Sequence, residues 1–184
     1  MKIVNCFSHL GGHEIMLAHR PQELAEITLA VRAVNEECKI KLCAEKGRRA
    51  FGRNTWSPKA INSAIASAMT WAGWQPRVAK DGKQTDFHKN RVDVEVQFGK
   101  YSFFAYDLTK HRTNFAGGKL VAAVEIVPAA SLAVQINSGP PNFPGCVRHL
   151  TDVTNSWAVP VLLLGITDDA ADDPAVDILK LQAA

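Results

Sequence analysis

The sequence predicts an α/β protein in which a mixed β-sheet is flanked by helices on both sides. Three observations point there. Residues 91–98 alternate strictly, with Val92, Val94, Val96 and Phe98 on one face and Asp93, Glu95 and Gln97 on the other. Two runs, Lys119–Val127 and Val159–Ile166, are apolar and rich in β-branched residues, as buried strands are. Two long segments instead repeat their apolar residues every three or four positions, the period of an amphipathic helix. Two or three strands covered by such helices form an α/β sandwich.

In chain order, Pro21–Lys46 reads as the first helix, with Leu24, Ile27, Val31, Val34, Cys38 and Leu42 on one stripe. Pro21 suits a first helical turn and Gly47 a stop. Ser57-Pro58 opens a second helix with the stripe Ile61, Ile65, Ala68, Met69 and Ala72, closed by Gly73. Its small residues Ala64, Ala66, Ser67 and Ala68 would allow another helix to approach closely. The alternating strand follows. Asp107–Phe115 is then expected as a helix that packs Leu108 and Phe115 and presents Lys110, His111 and Arg112 to solvent. Asn137–Gly145, with two Gly and three Pro, is expected as a loop, and Cys146–Trp157 as a helix.

At 184 residues and 20.1 kDa, the chain is expected to form a single domain. Its helical part would span about 1–75, the sheet core about 76–167 and an acidic tail 168–184. The composition, 47% hydrophobic and 21% charged, excludes disorder, collagen and coiled coil. The longest apolar runs fall far short of the roughly 20 residues of a membrane span, and residues 1–5 lack a secretory signal pattern. A cytoplasmic protein is the expectation. Cys6, Cys38, Cys43 and Cys146 form no C-x2-C pair and fit reduced thiols, with a zinc site drawing on Cys6, His9, His13 and His19 as the alternative.

Charge is unevenly placed. Five acids (Asp168, Asp169, Asp172, Asp173 and Asp177) lie in the last seventeen residues, and without that segment 20 bases face 13 acids. The densest basic stretch, Lys39–Arg53, contains Arg48, Arg49 and Arg53. Such a stretch suits a phosphate backbone, although a solvated basic helix end would look the same.

The chemistry concentrates on the alternating strand. Its two-residue period points Glu95 and Gln97 the same way, and Asp86 lies far enough upstream for a turn to bring it back alongside. Two carboxylates near a backbone carbonyl offer the hard oxygen ligands that Mg2+ prefers. A half-exposed edge strand with its polar face in water is the plain alternative.

The segment Asp86-x8-Glu95-Val96-Gln97-Phe98 resembles the PD-(D/E)xK nuclease superfamily in its variant with Gln for Lys, and more narrowly restriction endonucleases of the BglII and BstYI type. The resemblance is specific over Thr85–Asp169 and holds only in outline before that. It implies a restriction-endonuclease-like α/β/α core and a Mg2+-dependent, sequence-specific endonuclease that cuts double-stranded DNA as a homodimer. It further implies that Asp86, Glu95 and the carbonyl of Val96 bind the metal, while Gln97 orients the attacking water. A neutral amide cannot be a general base, so the metal would have to generate the nucleophile. Residues Gly99, Lys100, Asn137 and Ser138 fall in segments that enter the DNA grooves in that family. Arg48, Arg49 and Arg53 would hold phosphates. A GATC-containing palindrome and a cognate DNA methyltransferase complete the implied system. The competing functions are a repair or junction nuclease and a DNA-binding relic without catalysis.

Overall fold

The computed structural model describes residues 1–41, 54–78, 84–136, 139–152 and 158–168. In chain order these form β1 (Lys2–His9), α1 (Gly12–His19), α2 (Pro21–Arg32), a 3-10 turn at Glu36–Cys38, β2 (Lys39–Lys41), β3 (Asn54–Trp56) and α3 (Pro58–Trp71). There follow β4 (Gln75–Val78), β5 (Gln84–Lys89), β6 (Val92–Val96), α4 (Tyr101–Ala116), β7 (Ala122–Pro128), α5 (Ala130–Ala133), α6 (Phe143–Asp152) and β8 (Val161–Thr167).

Six strands form one mixed sheet in the order β1-β8-β7-β6-β5-β4, and β2 pairs with β3 apart from it. The central pairs β6–β7 and β7–β8 are parallel, whereas β1–β8, β5–β6 and β4–β5 are antiparallel. Strand β6 therefore lies inside the sheet, and Val92–Val96 are all buried. The edge-strand alternative is excluded. The sheet is also larger than the two or three strands expected. Strand β1 escapes a period-two reading because it contains a register shift between Ile3 and Asn5 and is only partly buried.

The alternation of β6 sorts the two layers. Val92, Val94 and Val96 pack with Val124, Ile126, Leu162 and Leu164 against α1, α2 and α3, through Met16, Leu24, Ile27, Ile61 and Ile65. On the opposite face, Ala123, Val127, Val161 and Leu163 pack against Phe104 and Leu108 of α4 and Cys146 and Leu150 of α6. Helices thus cover both faces, as expected.

Several element boundaries differ from the sequence reading. Helix α2 ends at Arg32, not Lys46, because Asn35 turns its side chain onto the Glu37 N–H (3.1 Å) and starts the 3-10 turn. Val34 and Cys38 stay buried, so the apolar period runs past the end of the helix. Leu42 and Lys46 lie outside the described residues. Helix α3 begins and ends as expected: Ser57 accepts the Ala60 N–H (3.3 Å), and Gly73 closes it at φ 84°. Helix α6 starts at Phe143 inside the expected loop, since Asn142 caps the Gly145 N–H (3.0 Å). Residues 153–157 of the expected Cys146–Trp157 helix lie outside the description.

Candidate active site

The β5–β6 hairpin builds the site. Asn90 and Arg91 both adopt left-handed backbone, φ 46° and 66°, as a two-residue hairpin turn requires. The Asn90 carbonyl accepts from Arg20 Nε (3.0 Å), and its amide donates to Glu23 (2.6 Å), which ties the turn to α2. This turn sets the register Lys89↔Val92, His88↔Asp93 and Phe87↔Val94. Asp86 consequently comes back beside Glu95. The Asp86 N–H donates to Glu95 Oε2 (3.3 Å), and the Val96 N–H donates to Asp86 Oδ2 (3.0 Å). Asp86 is exposed and Glu95 is buried, so the pair spans the boundary between solvent and core. Beside it is a pocket of about 230 Å³ lined by Asn62, Ala66, Asp86, Phe87 and Val96.

Helix α4 covers the polar face of β6. Asp107, Lys110, His111 and Asn114 fall on one helical stripe, and all four reach the sheet. Lys110 Nζ lies 2.5 Å from Glu95 Oε1 and 2.7 Å from Asp107 Oδ1. Asp107 Oδ2 accepts from Gln97 Nε2 (2.8 Å), while Gln97 Oε1 accepts the Gly99 N–H (3.0 Å). One turn further, His111 Nε2 meets Glu125 Oε1 of β7 at 3.0 Å. Asp93 bridges His88 Nδ1 (2.6 Å) and Asn114 Nδ2 (2.8 Å). The expectation that Lys110 and His111 face solvent is therefore wrong. Both are buried, Phe115 is exposed, and only Arg112 lies outside as expected. Acids on the odd positions of β6 and β7 need partners in a low-dielectric layer, and the polar stripe of α4 provides them.

The electrostatics leave this layer short of positive charge. Burial, then Asp107 and Asp86, pushes the Glu95 carboxyl up to about 9. Burial likewise raises Asp107, against the pull of Lys110 and Gln97. Burial opposes the Lys110 ammonium, but Glu95 and Asp107 outweigh it and hold the lysine protonated. One lysine thus stands among three carboxyls, and two of them, Glu95 and Asp107, are driven toward the uncharged form. The donor set is all oxygen and anionic, which fits a hard divalent cation. Among the described residues no three His, Cys, Asp or Glu side chains are grouped so as to hold a metal ion by themselves.

A family model described as restriction endonuclease BglII/BglIII matches residues 4–166. The chain belongs to this family. It is therefore a restriction endonuclease, an enzyme that cuts DNA. Two solved structures share its fold. One, the restriction endonuclease BglII complexed with a DNA 16-mer, is 21% identical, with a TM-score of 0.73 over 92% of this chain and 78% of that one. The other, free BglII, is 18% identical, with a TM-score of 0.65 over 92% of this chain and 81% of that one. No curated protein matches the chain.

In this BglII-family chain the structure brings Asp86, Glu95, Val96, Gln97 and Gly99 together. Lys100 stands nearby, exposed at the start of α4, because the strand has already ended at Val96. Arg48, Arg49, Arg53, Asn137 and Ser138 lie outside the described residues. Asp107 and Glu125 were missed, and Lys110 and His111 were assigned to the solvent side. Their signal was present: four polar residues at i, i+3, i+4 and i+7 on a helix, and a lone acid within the apolar run Ala122–Pro128.

Proposed function

We propose that this endonuclease hydrolyses phosphodiester bonds of double-stranded DNA with Mg2+, at a GATC-containing palindrome and as a homodimer. The observation that carries the metal site is the Asp86–Glu95 pair, set side by side by the hairpin in a layer where Lys110 faces several carboxyls. Two carboxylates with the remaining positions left to water and phosphate suit Mg2+, which sheds its waters reluctantly. Bound there, the ion would lower the pKa of a water and offset charge on the scissile phosphate. Asp86 and Glu95 would hold it with the carbonyl of Val96. Gln97 still has an amide hydrogen beyond the one used on Asp107, and with it would orient the attacking water.

The resemblance supports the GATC core, with Gly99, Lys100, Asn137 and Ser138 toward the bases, and the basic charge of Lys39–Arg53 supports Arg48, Arg49 and Arg53 as phosphate contacts. A dimer would suit a palindrome. A cognate methyltransferase would protect the host's own sites. Cleavage of supercoiled plasmid with and without Mg2+, followed by run-off sequencing of the ends, tests this reading. Defined bands with ends at a GATC-containing palindrome support it. Smeared products or uncut plasmid overturn it.

A further inference from the structure

Helix α4 does more than cover the sheet. Starting at β6, Glu95 Oε1 meets Lys110 Nζ, which meets Asp107 Oδ1; Asp107 Oδ2 then receives Gln97 Nε2, and Gln97 Oε1 receives the Gly99 N–H. The chain of contacts leaves the strand at Glu95 and returns to the backbone two residues later, just beyond the strand's end. Glu95 and Gln97 are thus both held from one helix. We propose that Lys110 and Asp107 are positioning residues of the cleavage site: Lys110 fixes Glu95 and, through Asp107, the amide of Gln97.

Three features support this role. Lys110 takes one oxygen of Glu95, while the other lies on the Asp86 side, so the lysine fixes which oxygen is presented to a cation. A buried ion pair contributes little net stability, because desolvation offsets the attraction, and orientation is then its distinctive effect. The charges would also balance around a cation. With Asp86, Glu95 and Asp107 all ionised, as a bound cation would hold them, Lys110 leaves two negative charges, which one divalent cation neutralises.

The inference rests on the nuclease reading, and the test separates the two. The parent chain is compared with Lys110→Met, Lys110→Arg and Asp107→Asn. Each is titrated with Mg2+ by thermal melting without DNA and then assayed for single-turnover plasmid cleavage at saturating Mg2+. Losing the ammonium frees the Glu95 carboxyl from its fixed orientation, so Lys110→Met should need about tenfold more Mg2+ for half-saturation. Its cleavage at saturating Mg2+ should also fall by about a hundredfold, because the ligand and the amide are misplaced. Lys110→Arg should recover part of the cleavage, and Asp107→Asn should lose it while folding normally. A Lys110→Met protein with an unchanged Mg2+ midpoint overturns the inference, as does one whose cleavage falls only in step with its Tm. If Lys110→Met does not fold, the inference stands or falls on Lys110→Arg and Asp107→Asn: parental Mg2+ midpoints and cleavage in both overturn it. A parent that binds Mg2+ but cuts no DNA overturns the nuclease reading alone, and the Mg2+ midpoints still decide the positioning role. A parent whose melting ignores Mg2+ overturns both.

Discussion

Glu95 and Glu125 stand directly across from each other on the parallel strands β6 and β7, on the sheet face that α4 covers. Two acids adjacent in a buried layer repel each other, and the helix answers with Lys110 for one and His111 for the other. The consequences of this arrangement can be measured.

Asp86→Ala and Glu95→Ala should each abolish cleavage, since each removes a charged oxygen from the proposed metal site. DNA binding in a filter assay should persist or tighten, because a carboxylate that repels phosphate is gone. Asp93→Asn is the control. Asp93 holds His88 and Asn114 rather than Glu95, so its loss should cost about 1–3 kcal/mol of stability and leave cleavage intact below the melting temperature. Cleavage lost only in the Asp93 variant would move the site to that aspartate.

Burial first, then the carboxylates of Asp107 and Glu95, holds Glu125 well above the ordinary carboxylate range. A carboxyl raised on folding contributes stability in full below its unfolded pKa and loses it as pH rises through the folded one. Melting temperature should therefore fall as pH rises above the ordinary carboxylate range. Glu125→Gln, which cannot ionise, should flatten that decline. An unchanged slope of Tm against pH in this variant would show that Glu125 is ionised throughout.

Gly12 opens α1 against the backbone of β8. A Cβ there would fall 2.3 Å from the Val161 carbonyl carbon, closer than side chains and backbone can approach. Gly12→Ala should thus cost at least about 1–3 kcal/mol, the usual range for overpacking. Urea denaturation would read this as a lower midpoint at unchanged slope. A parental midpoint would place α1 farther from the sheet.

DNA contacts divide into positioning and reading. Substituting Arg48, Arg49 or Arg53 by Ala should lower the salt dependence of binding by about one unit each and leave the preferred site unchanged. Lys100→Ala and Asn137→Ala should instead cost about 1–3 kcal/mol at single base positions. Cleavage profiles over a library of variant sites distinguish the two classes. Parental profiles in both Lys100 and Asn137 variants would place the base contacts elsewhere.

The sequence by itself determined the α/β layering, because the period of two in 91–98 and the period of 3.6 in Pro58–Ala72 are local properties of the chain. It also determined that Asp86 could meet Glu95, since the intervening residues are enough for one turn, although the pairing rests on Asn90 and Arg91 accepting left-handed backbone. The resemblance of Asp86-x8-Glu95-Val96-Gln97 to restriction endonucleases was legible in the same segment. Only the tertiary structure decided what lies over that strand. Lys110 and His111 look like solvated helix residues in sequence, because Lys is almost never buried without a partner and the partners here, Glu95 and Glu125, come from strands up to fifteen residues away. Where α2 stops was likewise hidden, since Val34 and Cys38 continue its apolar period while Asn35 breaks its backbone. Periodicity reports which side chains seek the core. It does not report which buried charges meet there, because that pairing is made across the fold and not along the chain.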